Sequence, residues 1–208
     1  MYSVPMAIVD FFPVVFYGIA IFILQRDLYN KMSKGAYAMF CAGTMDVFMS
    51  GFLKALYKLL YAMGLCDFRP LSNLFFPLQA IGFILAGVAM ICLILFPQQG
   101  KNKVYAVAAP ILFTGTMIFV ALMIGGLVGV ATSLSVIAAK MGRKKIIIFF
   151  ILSCIFSLCM GYLSSKDFAQ SYMNWAAEAV NLVGQGMLML GAIRLHKAGL
   201  EKFQLREK

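Results

Sequence analysis

The feature that most constrains how this chain folds is a run of thirty-six residues, 104–139, without a single charged side chain. As one helix this run would be about 54 Å long at 1.5 Å per residue, whereas the hydrocarbon core of a bilayer is roughly 30 Å thick. As two helices it fits, provided that the chain turns tightly at Gly125-Gly126 and that the second helix is short. The run therefore predicts a pair of membrane-spanning helices.

The rest of the chain contains five more apolar segments of membrane-spanning length, for which about 20 residues suffice. These segments are 4–24, 36–61, 74–96, 146–163 and 171–195. Hydrophobic residues make up 62% of the chain and charged residues 12%, against about half and about a quarter in average soluble domains. This composition excludes a soluble globule and predicts an all-α, polytopic membrane protein with seven transmembrane helices.

The positions of Lys and Arg orient these helices, because cytoplasmic loops near helix ends carry an excess of basic residues. With seven spans and the N-terminus outside, fourteen of the eighteen basic residues fall in cytoplasmic loops or in the C-terminal tail. The alternative, six spans with the N-terminus inside, would place six of them outside. The sequence therefore predicts an N-out, C-in protein of the plasma membrane. The net charge of +10 then faces anionic lipid, and no nucleic-acid partner is expected.

Short matches between the two halves of the chain predict an internal repeat. Basic residues at 31–34 and at 140–143 precede the second and sixth helices, and the outer loops that follow contain an Asp-Phe pair at 67–68 and again at 167–168. The distance between matched positions ranges from 97 to 109 residues, so one match requires a gap in the sixth helix. The matches occur in the same order in both halves, as a repeat requires.

The repeat predicts three helices, a linker helix and three more helices in the same orientation, a parallel 3+1+3 plan. Its parts would be a first bundle at 1–97, a linker helix at 104–123, a second bundle at 126–195 and a basic cytoplasmic tail at 196–208 on the inner leaflet. This plan is similar to that of the SWEET and PQ-loop transporters, and the resemblance implies a substrate site between the repeats. The likeness is topological, since Pro77-Leu78-Gln79 is not their Pro-Gln pair, and it implies no role for any residue.

Four ionisable side chains lie inside the predicted spans, where a charge is costly unless it faces a cavity or a partner. They are Asp10, Asp46, Lys54 and Glu178. Asp10, Lys54 and Glu178 each lie about six residues, or roughly 9 Å, from the outer end of their helix, so they share one layer. Asp46 lies deeper, and a lone carboxyl there is either protonated or paired, which makes it the candidate for proton coupling.

Helical spacing groups polar residues with these charges. On the seventh helix, polar residues from Asn174 to Gln185 recur at intervals of four, three and four and share one stripe. The predicted substrate-binding residues are Asp10, Lys54, Gln79, Asn174, Glu178, Asn181 and Gln185. The alternative is that Lys54 and Glu178 form a structural ion pair, or that the Lys54 ammonium reaches the headgroups.

These residues predict a small membrane transporter with an outward-opening polar cavity for a polar, zwitterionic or cationic solute, optionally coupled to protons. Two alternatives stay open: a membrane sensor or partner subunit with a basic cytoplasmic face, and a lipid-modifying enzyme. The expected partners are the bilayer and a small solute, and a homo-oligomer or a cytoplasmic protein is left open. His196 is the only histidine, so we predict no metal site, and we predict no cofactor or catalytic residue.

Overall fold

A computed structural model describes residues 3–97, 116–163 and 171–205, and every regular element in these ranges is helical. The helices are α1 (Val4–Val9), α2 (Phe11–Leu28), α3 (Lys34–Ala62), α4 (Pro70–Asn73), α5 (Phe75–Leu95), α6 (Thr116–Lys140), α7 (Ile147–Leu163) and α8 (Ser171–Lys197). Two 3₁₀ turns, Lys144–Ile146 and Leu200–Lys202, follow α6 and α8.

Five helical segments of the described chain are long and apolar enough to cross a membrane. They are Val4–Leu28, Lys34–Ala62, Pro70–Leu95, Phe119–Lys140 and Tyr172–Lys197. At 17 residues, α7 is shorter and extends about 26 Å. Large apolar side chains point away from the bundle, including Phe22 and Ile148 with exposures of 68% and 57%. Soluble monomers rarely expose such extensive apolar area, so the architecture is consistent with a helical integral membrane protein.

The first span is interrupted at Asp10, which separates α1 from α2. Pro13 explains the interruption, because it has no backbone N–H to donate to the carbonyl of Val9, four residues earlier. Asp10 itself keeps helical dihedral angles, with φ −55° and ψ −23°, so α2 continues from α1 without a reversal. The Asp10 carboxylate therefore lies at the point where the backbone hydrogen bonds of the first span are interrupted.

The turn expected at Gly125-Gly126 is wrong. Helix α6 is continuous from Thr116 to Lys140 and passes through both glycines. Gly126 is buried against the backbone of Phe83 on α5, whereas nothing lies within 4 Å of a Cβ placed on Gly125. Glycine here permits close packing of two helices instead of a turn. Residues 104–115 of the predicted linker helix lie outside the described residues, and its remainder belongs to α6.

Contacts along α5 show that its two neighbours run in opposite directions. Gly43 on α3 approaches Ala86, while Val47, one turn later, approaches Gly82, so α3 and α5 are antiparallel. On the other side, Gly126 approaches Phe83 and Gly129 approaches Ile91, so the residue numbers rise together and α6 is parallel to α5.

The first and last long helices are also parallel. Phe16 on α2 contacts Gly186 on α8, and farther along both helices Asp27 pairs with His196. The six long helices found in the described ranges pack as a closed ring in the order α2, α3, α5, α6, α7 and α8, with α8 returning to α2. We name the two ends of this ring by the residues that lie there: the Asp10 end, with Asp10, Lys58 and Glu178, and the His196 end, with Asp27 and His196.

The His196 half of the ring is filled by the main hydrophobic core, which includes Leu28, Phe40, Leu93, Ile137, Phe150 and Leu195. The described part of the C-terminal tail adds to this core, and its place on the inner leaflet stays a prediction. Gly199, with φ +92°, reverses the chain after α8, and Leu200 and Leu205 are then buried. The Lys31 ammonium donates hydrogen bonds to the backbone carbonyls of Glu201 and Phe203. Burial lowers the pKa of Lys31, although the nearby Asp27 and Glu201 carboxylates oppose this shift.

Candidate functional site

A partly open cavity lies inside the Asp10 half of the ring. The volume in which the centre of a water-sized molecule fits is about 130 Å³. All six long helices contribute side chains to the wall. Six of the seven predicted substrate-binding residues line it: Asp10, Lys54, Gln79, Glu178, Asn181 and Gln185. They come from four separate parts of the chain, and only the closure of the ring brings them together.

Four charged groups stand in this cavity wall, the carboxylates of Asp10 and Glu178 and the ammonium groups of Lys54 and Lys58. The Lys58 ammonium pairs with Asp10 and lies 4.0 Å from Glu178 Oε2. Asp10 and Glu178 are only 7% and 5% exposed. Because a buried ion loses several kcal/mol of hydration, both carboxylates need the compensation that Lys58 supplies.

Lys58 was absent from the predicted site. The alternative interpretation of the sequence was an ion pair between Lys54 and Glu178. In the structure the lysine closest to Glu178 is instead Lys58. The signal was present, since Lys58 follows Lys54 by four residues and such residues share a helix face. Lys54 itself lies with its Nζ 3.8 Å from the centre of the Phe75 ring, a cation–π contact within the cavity.

Three buried side-chain oxygens in the wall have no hydrogen-bond donor among the described residues: Asp10 Oδ2, Glu178 Oε1 and Gln185 Oε1. Asp10 Oδ2 is compensated by its ion pair with Lys58, whereas the other two oxygens have no such partner. An unsatisfied buried acceptor costs about 1–3 kcal/mol, so native proteins rarely retain one without a water or ligand beside it. Glu178 and Gln185 both line the cavity, but these two oxygens are covered by neighbouring atoms, so a bound donor would reach them only after a shift of the side chains.

Two predicted residues do not line the cavity. Asp46 is half-buried on α3 and lies outside both cavities described for this ring. Asp46 precedes Lys54 by eight residues on α3, and each step of four residues overshoots a full helical turn by about 40°, so the two side chains point about 80° apart. Asn174 lies one turn nearer the start of α8 than Glu178. It is also half-buried, and it interacts with other groups. Proton coupling through Asp46 stays a prediction, which uptake by an Asp46→Asn variant would test.

A second, smaller cavity continues deeper into the ring, with about 30 Å³ of space for water-sized molecules. Its wall is mainly apolar, with hydroxyl groups from Thr44, Ser153 and Ser157. The side chains that border both cavities are Tyr17, Phe83, Leu127, Ser157 and Gln185. Beyond the second cavity the hydrophobic core fills the His196 half of the ring.

A second polar cluster joins α2 to α8 at the His196 end, and its central residue, Asp27, was not among the predicted site residues. The Asp27 side chain is fully buried, with its Oδ2 2.8 Å from His196 Nδ1 and its Oδ1 3.3 Å from Arg26 Nε. Glu201 lies close enough for the three residues to surround an ion. The Arg26 guanidinium lies 2.8 Å from the His196 ring, and its positive charge disfavours a metal cation at this place. We therefore interpret the cluster as a structural contact that holds α2 and α8 together, and we call it the lock.

The Asp10-end cavity can hold a small polar molecule by charge, by amide hydrogen bonds and by aromatic contact. Comparisons of the chain with protein-family models, with curated proteins and with solved structures find no match. The function must therefore be inferred from the chemistry of these side chains.

Proposed function

We propose that this protein is a small transporter that binds a polar solute in the Asp10-end cavity and carries it across the plasma membrane. The observation behind this function is that Glu178, a carboxylate only 5% exposed, lines a central cavity, and one of its oxygens has no hydrogen-bond donor among the described residues. A purely structural ion pair would be expected to satisfy its atoms and exclude space. Ionisable residues inside membrane spans that instead face a cavity are typical of substrate pathways.

We further propose seven spans with the N-terminus outside. Successive spans of one chain alternate in direction, so a first and a last span that are parallel require an odd number of crossings. The described ring has six long helices, its first and last members are parallel, and so are the successive helices α5 and α6. Parallel first and last spans are expected of a seven-span protein and not of a six-span protein.

The order of the ring supports the parallel 3+1+3 repeat. A half-turn of the ring exchanges α2 with α6, α3 with α7, and α5 with α8, and every pair of neighbours then falls on another pair of neighbours. The directions of the helices also match in this exchange. A repeat of this kind places the cavity between its two halves, where related transporter architectures bind substrate.

Uptake into proteoliposomes tests the transport function. Glu178→Gln keeps the shape of the side chain and removes its charge, so we expect uptake of a transported solute to be abolished while the protein stays folded. The matched control is Asp67→Asn, which makes the same change in an exposed loop at the same end, where Asp67 pairs with Arg69 outside the cavity. Uptake that survives in Glu178→Gln at the rate of the control would contradict the proposed site.

Labelling of single cysteines tests the topology. In the seven-span arrangement Cys66 and residue 141 lie on opposite sides of the membrane, whereas in the six-span alternative they lie on the same side. A cysteine at Met141 in a background that lacks the other cysteines, compared with Cys66 alone, distinguishes the two cases. Equal access of an impermeant reagent to both positions would rule out seven spans.

A sensor or partner subunit is the second candidate, and the contacts of the tail favour it. Lys31, just after α2, holds the backbone at Glu201 and Phe203, and Asp27 holds His196. A ligand that moves α2 relative to α8 would therefore also move the tail. Ligand-induced thermal stabilisation without flux of that ligand would favour the sensor over the transporter.

A further inference from the structure

The groups left unsatisfied in the Asp10-end cavity are of two opposite kinds. Glu178 Oε1 and Gln185 Oε1 are acceptors without a donor among the described residues. Lys54 is a donor of the opposite kind, because its ammonium rests on the Phe75 ring, which supplies no acceptor oxygen, and it forms no ion pair within the described part of the chain. A ligand that satisfies both kinds must carry N–H donors at one point and an anionic acceptor at another.

The charge balance of the wall favours a ligand without net charge. Two carboxylates face two ammonium groups, so the four groups neutralise one another when all are ionised. A cationic or an anionic ligand would add an uncompensated charge to a site of low polarity, which is costly. A zwitterion adds none, and its two ends match the two kinds of unsatisfied group.

The remaining wall residues are mostly apolar, and five of them are aromatic. Tyr17, Phe48, Phe75, Phe76 and Phe83 all line the cavity. With about 130 Å³ open to the centres of water-sized molecules, the cavity is large enough for several waters or for a small ligand. These rings would bury an apolar side chain, whereas a wholly polar zwitterion would leave them without a partner.

We propose that the cavity binds an amino acid with an apolar side chain, its ammonium group on Glu178 and Gln185 and its carboxylate on Lys54. This inference rests on the proposed function of the cavity as a solute site, and it names the class of solute. Each end of the ligand then forms charge-assisted hydrogen bonds, which are stronger than neutral ones.

Calorimetric titration of the purified full-length protein in detergent tests the inference with three matched molecules. Phenylalanine carries both charges, phenethylamine lacks the carboxylate and 3-phenylpropanoate lacks the ammonium group. We expect phenylalanine to bind at least about tenfold more tightly than either analogue, because each analogue leaves one charged wall group unpaired. The leucine series, with 3-methylbutylamine and 4-methylpentanoate, repeats the comparison with an aliphatic side chain.

Two variants assign the ends of the ligand. In Lys54→Met the preference for phenylalanine over phenethylamine should disappear, and in Glu178→Gln the preference for phenylalanine over 3-phenylpropanoate should disappear. Arg69→Gln, an exposed change at the same end of the ring, should alter neither preference. The titrations of the unaltered protein keep the test decisive if a variant does not fold.

Phenethylamine that binds the unaltered protein as tightly as phenylalanine would overturn the inference and indicate a cation site. Failure of both amino acids to bind would also overturn it. The transport function could still be tested after that result. Uptake of another solute that depends on Glu178 would support the cavity as the transport site and reject an amino acid as its ligand. Binding without uptake would uphold the ligand and contradict transport.

Discussion

Replacement of Gly126 by alanine should destabilise the protein, whereas the same change at Gly125 should not. A Cβ on Gly126 would lie 2.2 Å from both the carbonyl carbon and the oxygen of Phe83, and 2.5 Å from the nitrogen of Ile84. Carbon atoms normally approach to about 3.5–4.0 Å, so α5 and α6 would have to separate by an ångström or more. The obstacle is backbone and cannot be relieved by a change of rotamer.

The neighbouring glycine isolates the cost of this clash. Both residues lie in α6, and in both cases alanine gains up to about 1 kcal/mol of helix propensity over glycine. Nothing lies within 4 Å of a Cβ on Gly125, so that variant keeps the whole gain. The difference in unfolding free energy between the two variants is therefore the cost of overpacking alone, about 1–3 kcal/mol.

Thermal unfolding in detergent, followed by intrinsic fluorescence, measures this difference. For a chain of this size 1 kcal/mol shifts the midpoint by roughly 2–4 °C, so Gly126→Ala should melt at least a few degrees below Gly125→Ala. Equal midpoints would refute the close parallel packing of α5 and α6. A loss of stability at both positions would instead favour a turn at this point of the chain.

Three further outcomes are expected. Lys58→Met should lower the unfolding free energy by about 3–5 kcal/mol, because it leaves Asp10 and Glu178 buried without their cation. Adding Asp10→Asn should restore part of this loss in a double-mutant cycle, and full additivity would show that the two side chains are not coupled. His196→Ala should cost about 1–3 kcal/mol in chemical denaturation, since it removes a hydrogen-bond partner from the fully buried Asp27 carboxylate. A stability equal to that of the unaltered protein would contradict the lock at the His196 end.

Much of the candidate site could be predicted from the sequence because depth and helix face are local properties. The rise and rotation of a helix place Asp10, Lys54 and Glu178 in one layer and put Glu178 and Gln185 on one stripe. The same reasoning gave the depth of Asp46 but not its surroundings, and this residue lies outside both cavities. It also could not say that Lys58 approaches Glu178, because ion pairing depends on how far apart two helices pack.

The sequence by itself determined that the chain forms apolar helices of membrane-spanning length and that a few buried polar groups lie at matching depth. Tertiary structure alone decided that Gly126 lies inside a helix, that α6 runs parallel to α5, and that Asp27 meets His196. The physical reason is that hydropathy and periodicity depend on neighbours in the chain. The direction of a helix and the choice of its neighbours depend instead on where glycine lets two backbones come into contact. A run of small apolar residues has the same sequence pattern in a turn and in a tight helix interface.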